Sequence, residues 1–308
     1  MLSVQGRHGP AWGSLHSPVR AARELAYAGV HFELLPQRGF RPQVPGDYAP
    51  YVMPVGPASA SPPVAARATC SLHIDPTLSI DPQQLNQIEY RGDGDMMRLR
   101  HPFFRADVRK ITRARYVATA RVGDDPLAMA AFLRFVAAAI VEHEGGLSLH
   151  AAALALDGAA IALMGPSGAG KSTACELATH ARGARCLAYD QLVIYPLGER
   201  CYGWALPWGS ATELPRAETP VLPLSACLRV TRGTPHTEIR QADAAQATFL
   251  LRSAASVRDA AMEAEFRRLA NVQQIVERVP VGYLSTVLDE RTDVAIAAWL
   301  RAGARGVA

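Results

Sequence analysis

The chain has 308 residues, of which 49% are apolar and 19% are charged, and its formal net charge is +4. This length favours two domains, and the composition is typical of a soluble globular protein. The net charge is too small to indicate nucleic-acid binding, and no uninterrupted stretch of 18 apolar residues occurs, so we expect neither nucleic acid nor a membrane as a partner.

The cysteines and the N-terminus indicate the compartment. Five cysteines are scattered along the chain, odd in number and without C-x-x-C spacing. This pattern argues against a disulfide framework and against a zinc site, and it favours a reducing compartment. Residues 1–12 contain no apolar segment of the kind that a signal peptide needs. We therefore expect a cytoplasmic protein.

The first 125 residues predict a smaller β-rich or α+β domain. Short strands are predicted over residues 30–35 and 97–99, and a half-exposed strand over residues 108–122, where basic and apolar residues partly alternate. Residues 54–63 are rich in proline and small residues, which indicates a linker or long loop.

Basic residues are concentrated between Arg91 and Arg121. This segment holds nine Arg or Lys residues against three Asp. Such a segment can bind an acidic peptide, or it can be the solvated face of a strand. The sequence alone favours the solvated face.

From residue 126 onward the pattern changes to that of an α/β domain, which we assign to residues 126–308. The predicted elements are a helix over residues 126–144, strands over 147–156 and 159–164, and a short helix over 174–182. Asp125 is placed to cap the first helix, and Pro126 suits its first turn. Asp157 and Gly158, between two apolar runs, predict a hairpin turn.

A complete phosphate-binding loop follows the hairpin. It matches the G-x-x-x-x-G-K-[ST] pattern and comprises Gly165, Pro166, Ser167, Gly168, Ala169, Gly170, Lys171, Ser172 and Thr173. Glycines let backbone N–H groups surround phosphate oxygens, and the helix N-terminus adds its positive dipole end. Lys171 is one of only two lysines among 32 basic residues. The loop predicts ATP binding, with Lys171 on the phosphates and the Ser172 hydroxyl on Mg²⁺.

Two further residues are candidates for chemistry. Asp190 lies in a predicted strand over residues 185–195, and an acid in an apolar run is costly to bury without a cation or metal partner. The alternative is an Asp at a strand end that contacts only backbone. His150 lies among small and apolar residues of the hairpin, where a histidine is more often a core residue than a functional one.

The rest of the chain predicts further regular elements. They are strands over residues 224–230 and 281–287, helices over 243–252, 255–274 and 292–301, and an ordered loop at 207–209. No internal repeat is visible.

These motifs together resemble the HPr kinase/phosphorylase family and its relatives. That family has a His-containing strand, a hairpin, a loop of this type, a short helix and an Ala-Asp-Asp strand. The counterparts here contain His150, Lys171 and, in the sequence Ala-Tyr-Asp, Asp190. A weaker likeness through residues 206–209, 250–253 and 279–280 points to HPr-kinase-related proteins found beside bacterial peptide-modification genes.

The resemblance implies a fold, a reaction and residue roles. The fold is a P-loop kinase domain of the HPr kinase and phosphoenolpyruvate carboxykinase-like type, and members phosphorylate a serine hydroxyl of a protein or peptide. Asp190 is then the base that accepts the seryl proton and a metal ligand, Lys171 the phosphate clamp, and Ser172 a metal ligand. His150 is placed near the phosphates. Members are commonly oligomers, so a homo-oligomer is compatible with the resemblance.

The sequence departs from the family in two places. Tyr189 stands where the family has the first acid of its Asp-Asp pair. The acidic-Val-Arg-Gly-like signature of dephosphorylating members is not found after residue 200. A peptide or small-protein serine kinase is the leading interpretation. A small-molecule kinase, or a nucleotide-gated regulatory or binding protein without transfer activity, is the alternative.

Overall fold

The protein is an α/β structure with mixed sheets. A computed structural model describes residues 18–54, 62–78, 88–182, 184–206, 217, 219–232, 237–255, 262–286, 294–296 and 298–299. Within these ranges the chain forms two large β-sheets, a two-stranded ladder and four α-helices.

The first sheet contains strands from the N-terminal part of the chain. Its members are β2 (Glu24–Tyr27), β3 (Val30–Pro36), β5 (Met53–Pro54), β6 (Ala66–Ile74), β7 (Glu89–Asp93), β8 (Met96–His101), β9 (Phe104–Thr112) and β10 (Arg115–Val122). They lie in the order β5-β2-β3-β6-β10-β9-β8-β7, and β6 pairs in parallel with both β3 and β10. Separately, β1 (Val19–Arg20) pairs with β4 (Gln43–Val44), and a short 3₁₀ helix spans Gly46–Tyr51.

One prediction for this sheet was wrong. Residues 108–122 form no single strand, because the chain turns back between β9 and β10, which pair as an antiparallel hairpin. Ala114 occupies the left-handed region in this turn, with φ of 57°. The turn carries no glycine, proline or asparagine, so the sequence lacked the residues that usually mark one. The strands predicted near residues 30–35 and 97–99 are present as β3 and β8, and most of the predicted linker lies outside the described residues.

The second sheet follows residue 146. It comprises β11 (Leu147–Leu156), β12 (Ala159–Met164), β13 (Arg185–Ala188), β14 (Gln191–Leu197), β15 (Arg200–Ala205), β16 (Val221–Arg232), β17 (Glu238–Gln241) and β18 (Val281–Thr286). The order is β12-β11-β14-β15-β16-β18-β17, with β13 beside β11. Strand β12 also pairs in parallel with β16, so five of these strands close into a ring. The predicted hairpin is present, with Asp157 and Gly158 at φ of 51° and 76°.

Helix α1 (Pro126–His143) lies in the core between the two sheets. Asp125 caps it, accepting a hydrogen bond from the Leu127 N–H at 2.7 Å. Phe132 packs against Phe32 and Phe104 of the first sheet, with ring centroids 6.5 and 5.8 Å apart. The helix is long and apolar enough to cross a membrane, yet it is largely buried inside the protein, as core helices of soluble proteins are.

A single hydrophobic core joins the two sheets through α1. Two side chains of the second sheet also bond to the N-terminal part of the chain. The Tyr195 hydroxyl donates to the Pro63 carbonyl at 2.8 Å, and Trp204 Nε1 donates to the Tyr51 carbonyl at 3.3 Å. The division into residues 1–125 and 126–308 therefore stays a prediction. All five cysteines are free and buried.

Three further helices flank the second sheet. They are α2 (Lys171–Arg182), α3 (Ala244–Ala254), which begins with an Asp243 capping box, and α4 (Met262–Val276). Of the helix predicted over residues 255–274, residues 262–274 lie in α4, and Ala255 instead forms an isolated β-bridge with Leu149. Residues 256–261 lie outside the described residues. Of the helix predicted over 292–301, residues 294–296 and 298–299 are helical and the others lie outside the described residues, as does the loop at 207–209.

Candidate functional site

The glycine loop connects β12 to α2, in the order that the sequence predicted. Three of its glycines have positive φ, with 148° at Gly165, 78° at Gly168 and 98° at Gly170. Glycine adopts such angles without the steric cost that a Cβ imposes. A Cβ at Gly168 would have no neighbouring atom within 4 Å, so the loop leaves open space there. Glycines with positive φ between a strand and a helix are typical of loops whose backbone N–H groups bind phosphate.

Lys171 lies at the first position of α2, and its ammonium group folds back into the loop. Nζ donates to the carbonyl oxygens of Gly165 at 2.9 Å and Pro166 at 3.2 Å. The third contact joins Nζ to His150 Nε2 at 3.3 Å. An ammonium group has three N–H donors, and these contacts use all three.

The positive charge of Lys171 is buried without a direct counter-ion. Its exposed fraction is only 7%, and its three acceptors are neutral groups. In the part of the chain that the structure describes, no carboxylate forms an ion pair with it. Burial lowers the pKa of Lys171 below the ordinary lysine value, and the Asp190 carboxylate opposes this shift. A desolvated cation with neutral partners is a site prepared for an anion.

Asp190 lies at a break in the strand that pairs with β11, and not inside a continuous strand as predicted. Residues 189–190 form a bend between β13 and β14. In the ladder with β11, His150 pairs with Gln191, so these two side chains share a face. An unbroken strand would turn Asp190 to the opposite face, because successive side chains alternate. The bend allows Asp190 to reach His150.

His150 connects the aspartate to the lysine. Its Nδ1 lies 3.0 Å from Asp190 Oδ1, and its Nε2 accepts from the Lys171 ammonium. An ammonium group can only donate, so Nε2 takes the acceptor role in this contact and Nδ1–H faces Asp190. The two contacts form a line of three groups, Lys171–His150–Asp190.

The remaining loop residues lie around this line. Pro166, Ser167, Gly168, Ser172 and Thr173 are exposed, Gly165 and Ala169 are half-buried, and Gly170 is buried. The exposed Ser172 hydroxyl is the side chain in the first turn of α2 that suits a magnesium ion. Among the described residues there is no cluster of three or more His, Cys, Asp or Glu that could hold a metal ion alone. Mg²⁺ in nucleotide sites takes most of its ligands from phosphate and water, so the loop does not need such a cluster.

Two residues near the site were not identified from the sequence. Arg134 lies buried within α1, and burial lowers the pKa of its guanidinium. The nearby Asp190 carboxylate opposes this shift by a smaller amount. The sequence signal for Arg134 was a single charged residue between the apolar residues Leu133 and Phe135. Gln191 is 8% exposed, and its Oε1 has no hydrogen-bond partner among the described residues.

Lysine labelling gives a direct test of this electrostatic arrangement. Lys110 and Lys171 are the only lysines, so ¹⁵N-lysine labelling yields two ammonium signals. We expect Lys171 to titrate below the ordinary lysine value, and Asp190→Asn to lower its pKa further by removing the opposing charge. Glu144→Gln is the control, because Glu144 pairs with Lys110 at 2.7 Å. A Lys171 midpoint at or above the ordinary value would contradict a desolvated ammonium.

Comparisons with known proteins give only distant similarity. No protein-family model matches the sequence, and no curated protein matches it. Among solved structures, the HPr(Ser) kinase/phosphatase from Coxiella burnetii aligns with a TM-score of 0.28 and 12% sequence identity. The alignment covers 52% of this chain and 97% of that one. Such a score is too low to indicate a shared fold.

Proposed function

We propose that this protein is an ATP- and Mg²⁺-dependent kinase that transfers a phosphoryl group to a hydroxyl, namely a serine of a peptide or small protein. The observation that carries the proposal is the buried Lys171 ammonium, held inside a glycine loop by neutral acceptors only. A triphosphate supplies the missing negative charge. Phosphoryl transfer requires mainly that the phosphates are positioned and that their charge is neutralised. The glycine loop and the Lys171 ammonium can do both.

The loop residues bind and orient the phosphates in this proposal. The backbone N–H groups around Gly168 donate to phosphate oxygens, and the N-terminal end of α2 adds its positive dipole. Lys171 neutralises charge on the transferring group, where preorganised cations contribute most. Mg²⁺, when bound, neutralises charge on the phosphate oxygens, and the residues that would hold it are Ser172 and Asp190.

Asp190 accepts the proton of the acceptor hydroxyl. His150 binds Asp190 Oδ1, so Oδ2 is the oxygen that we assign to the proton. The hydroxyl oxygen forms a bond to the γ-phosphorus as the bond to the bridging β–γ oxygen breaks, and ADP is the leaving group. The Nδ1–H donated by His150 fixes the orientation of the carboxylate, which is a positioning role.

The acceptor class comes from the sequence resemblance to serine kinases. To test it, the full-length protein is incubated with Mg²⁺-ATP, a panel of peptides from neighbouring genes and a panel of small hydroxylated metabolites. We expect mass spectrometry to find one added phosphoryl group on a peptide serine, and none when Ser is replaced by Ala. Lys171→Ala is the matched inactive control.

Other outcomes distinguish the alternatives. Phosphorylation of a metabolite with every peptide unchanged would refute the peptide acceptor and support a small-molecule kinase. Saturable ATP binding without turnover on either panel would support a nucleotide-gated regulatory protein. A cytoplasmic location, a homo-oligomer and the absence of nucleic-acid or membrane partners are further predictions that accompany the proposal.

A further inference from the structure

The first sheet has one covered face and one open face. Along β10 every second residue is buried, from Tyr116 to Val122, and the alternate residues are exposed. The buried residues belong to the core that includes α1, so the exposed ones form the opposite face. This open face carries most of the arginines of the basic segment between Arg91 and Arg121.

The strand register aligns arginines directly opposite one another on this face. Arg121 of β10 pairs with Arg105 of β9, and Arg105 pairs with Arg100 of β8. On the other side, Arg121 pairs with His73 of β6. We call Arg100, Arg105 and Arg121 the arginine row. Like charges directly opposite each other destabilise a sheet, so this register has an energetic cost.

The arginine row is only partly neutralised by the protein itself. Arg100 forms an ion pair with Asp107 at 2.8 Å and donates to two backbone carbonyls. Arg105 and Arg121 pair through their backbones in the β9–β10 ladder, but among the described residues their guanidinium groups form no ion pair and no hydrogen bond. Asp75 lies close enough to feel their charges, but its side chain is held by Thr77, whose contacts are the main cause of its lowered pKa.

We propose that the arginine row is a docking site for an acidic peptide segment of a protein partner. Each guanidinium can form two parallel hydrogen bonds with one carboxylate, which matches discrete Asp or Glu side chains. The open face also carries two carboxylates, Asp107 and Glu89, and Glu89 pairs with Arg100. These carboxylates would repel a continuous phosphate backbone, so they favour a peptide with discrete acidic side chains as the partner. This site is separate from the glycine loop, so it requires neither ATP nor the kinase reaction.

A cavity on the same face suits the apolar part of such a peptide. It has a volume of about 480 Å³, and its lining combines Ile111 and Val117 with the charged side chains of Glu24, Glu33, Arg67 and Arg115. Ile111 and Val117 are 49% and 40% exposed, so they are the apolar surface that this cavity offers. Val117 lies four residues before Arg121 on β10, which is about 13 Å along the strand. A peptide that binds the arginine row therefore reaches the cavity with residues about four positions away from its acidic ones.

Fluorescence anisotropy tests the docking site on the full-length protein without nucleotide. The probe is a labelled peptide of alternating Glu and Ala, compared with the same peptide carrying Gln for Glu and with a thymidine oligonucleotide of equal length. We expect the acidic peptide to bind best, and its affinity to fall as salt rises from about 0.05 M to about 0.5 M because screening shortens the Debye length. Arg105→Gln/Arg121→Gln should weaken binding about tenfold, since each exposed arginine–carboxylate contact contributes roughly a threefold factor.

The matched control is Arg185→Gln/Arg200→Gln, which removes the same charge from exposed positions on the second sheet. It should leave peptide binding unchanged. The melting temperature of Arg105→Gln/Arg121→Gln should equal or exceed that of the wild type, since a like-charge pair is removed. Equal affinity for the acidic and Gln peptides, or an unchanged affinity in Arg105→Gln/Arg121→Gln, would overturn the proposal. Tighter binding of the oligonucleotide would assign the face to nucleic acid instead.

Discussion

Replacing Lys171 by alanine should reduce phosphoryl transfer on the order of 100-fold or more, because a preorganised charge on the transferring group is lost. ATP binding should weaken as well. Among the described residues, Lys171 is the only buried cation inside the glycine loop, and the substitution removes it. Both effects are measured on the same preparation, transfer by product formation with the accepted substrate and binding by calorimetry.

Lys110→Ala is the matched control for this experiment. It removes the only other lysine, whose partner is Glu144 at the C-terminal cap of α1. Its loss should leave transfer within a few-fold of the wild type. The cost in stability should exceed that of an exposed ion pair, because the Lys110 and Glu144 side chains are only 23% and 11% exposed. Transfer by Lys171→Ala at a rate close to that of Lys110→Ala would show that the loop lysine does not act on the phosphates.

Replacing Asp190 by asparagine should leave ATP bound while lowering transfer by about 10² to 10⁴, the usual contribution of a general base. The amide preserves the shape of the side chain, and its oxygen can still accept from His150 Nδ1–H, but it cannot take the acceptor proton. Binding is measured with and without Mg²⁺. Loss of the Mg²⁺ dependence would add a metal-ligand role, whereas an unchanged dependence would leave Asp190 as the base alone.

The control for Asp190→Asn is Asp157→Asn in the turn between β11, the strand that carries His150, and β12. Asp157 has a φ of 51°, a conformation that asparagine also tolerates, so this variant should keep both fold and activity. Thermal melts of both variants distinguish chemistry from unfolding. If Asp190→Asn transfers phosphate at the wild-type rate with an unchanged melt, the residue is structural and the proposed base is wrong.

Local features of this chain could be predicted well from its sequence. Asp125 followed by Pro126 indicated the start of α1, and Asp157-Gly158 indicated the hairpin, because these residues act through their own backbone. The glycine loop could be recognised for the same reason. Positive φ at Gly165 and Gly168 is a requirement that glycine alone satisfies without strain.

Features that depend on strand pairing could not be predicted. The bend at Asp190 is local, but its consequence, contact with His150, depends on the register of β14 against β11. The turn at Ala114 has no marker residue, so one strand was expected where two exist. Arg134 approaches Asp190 only because α1 packs across both sheets, a long-range arrangement that no local pattern encodes.

Hydrogen exchange with mass spectrometry tests the central claim most directly, because the claim is that backbone N–H groups of the loop bind the phosphates of ATP. Addition of Mg²⁺-ATP should slow exchange in peptides that cover residues 165–173, and Lys171→Ala should reduce that protection. Protection confined to other segments while ATP is bound, or none in residues 165–173 at saturating ATP, would contradict the account.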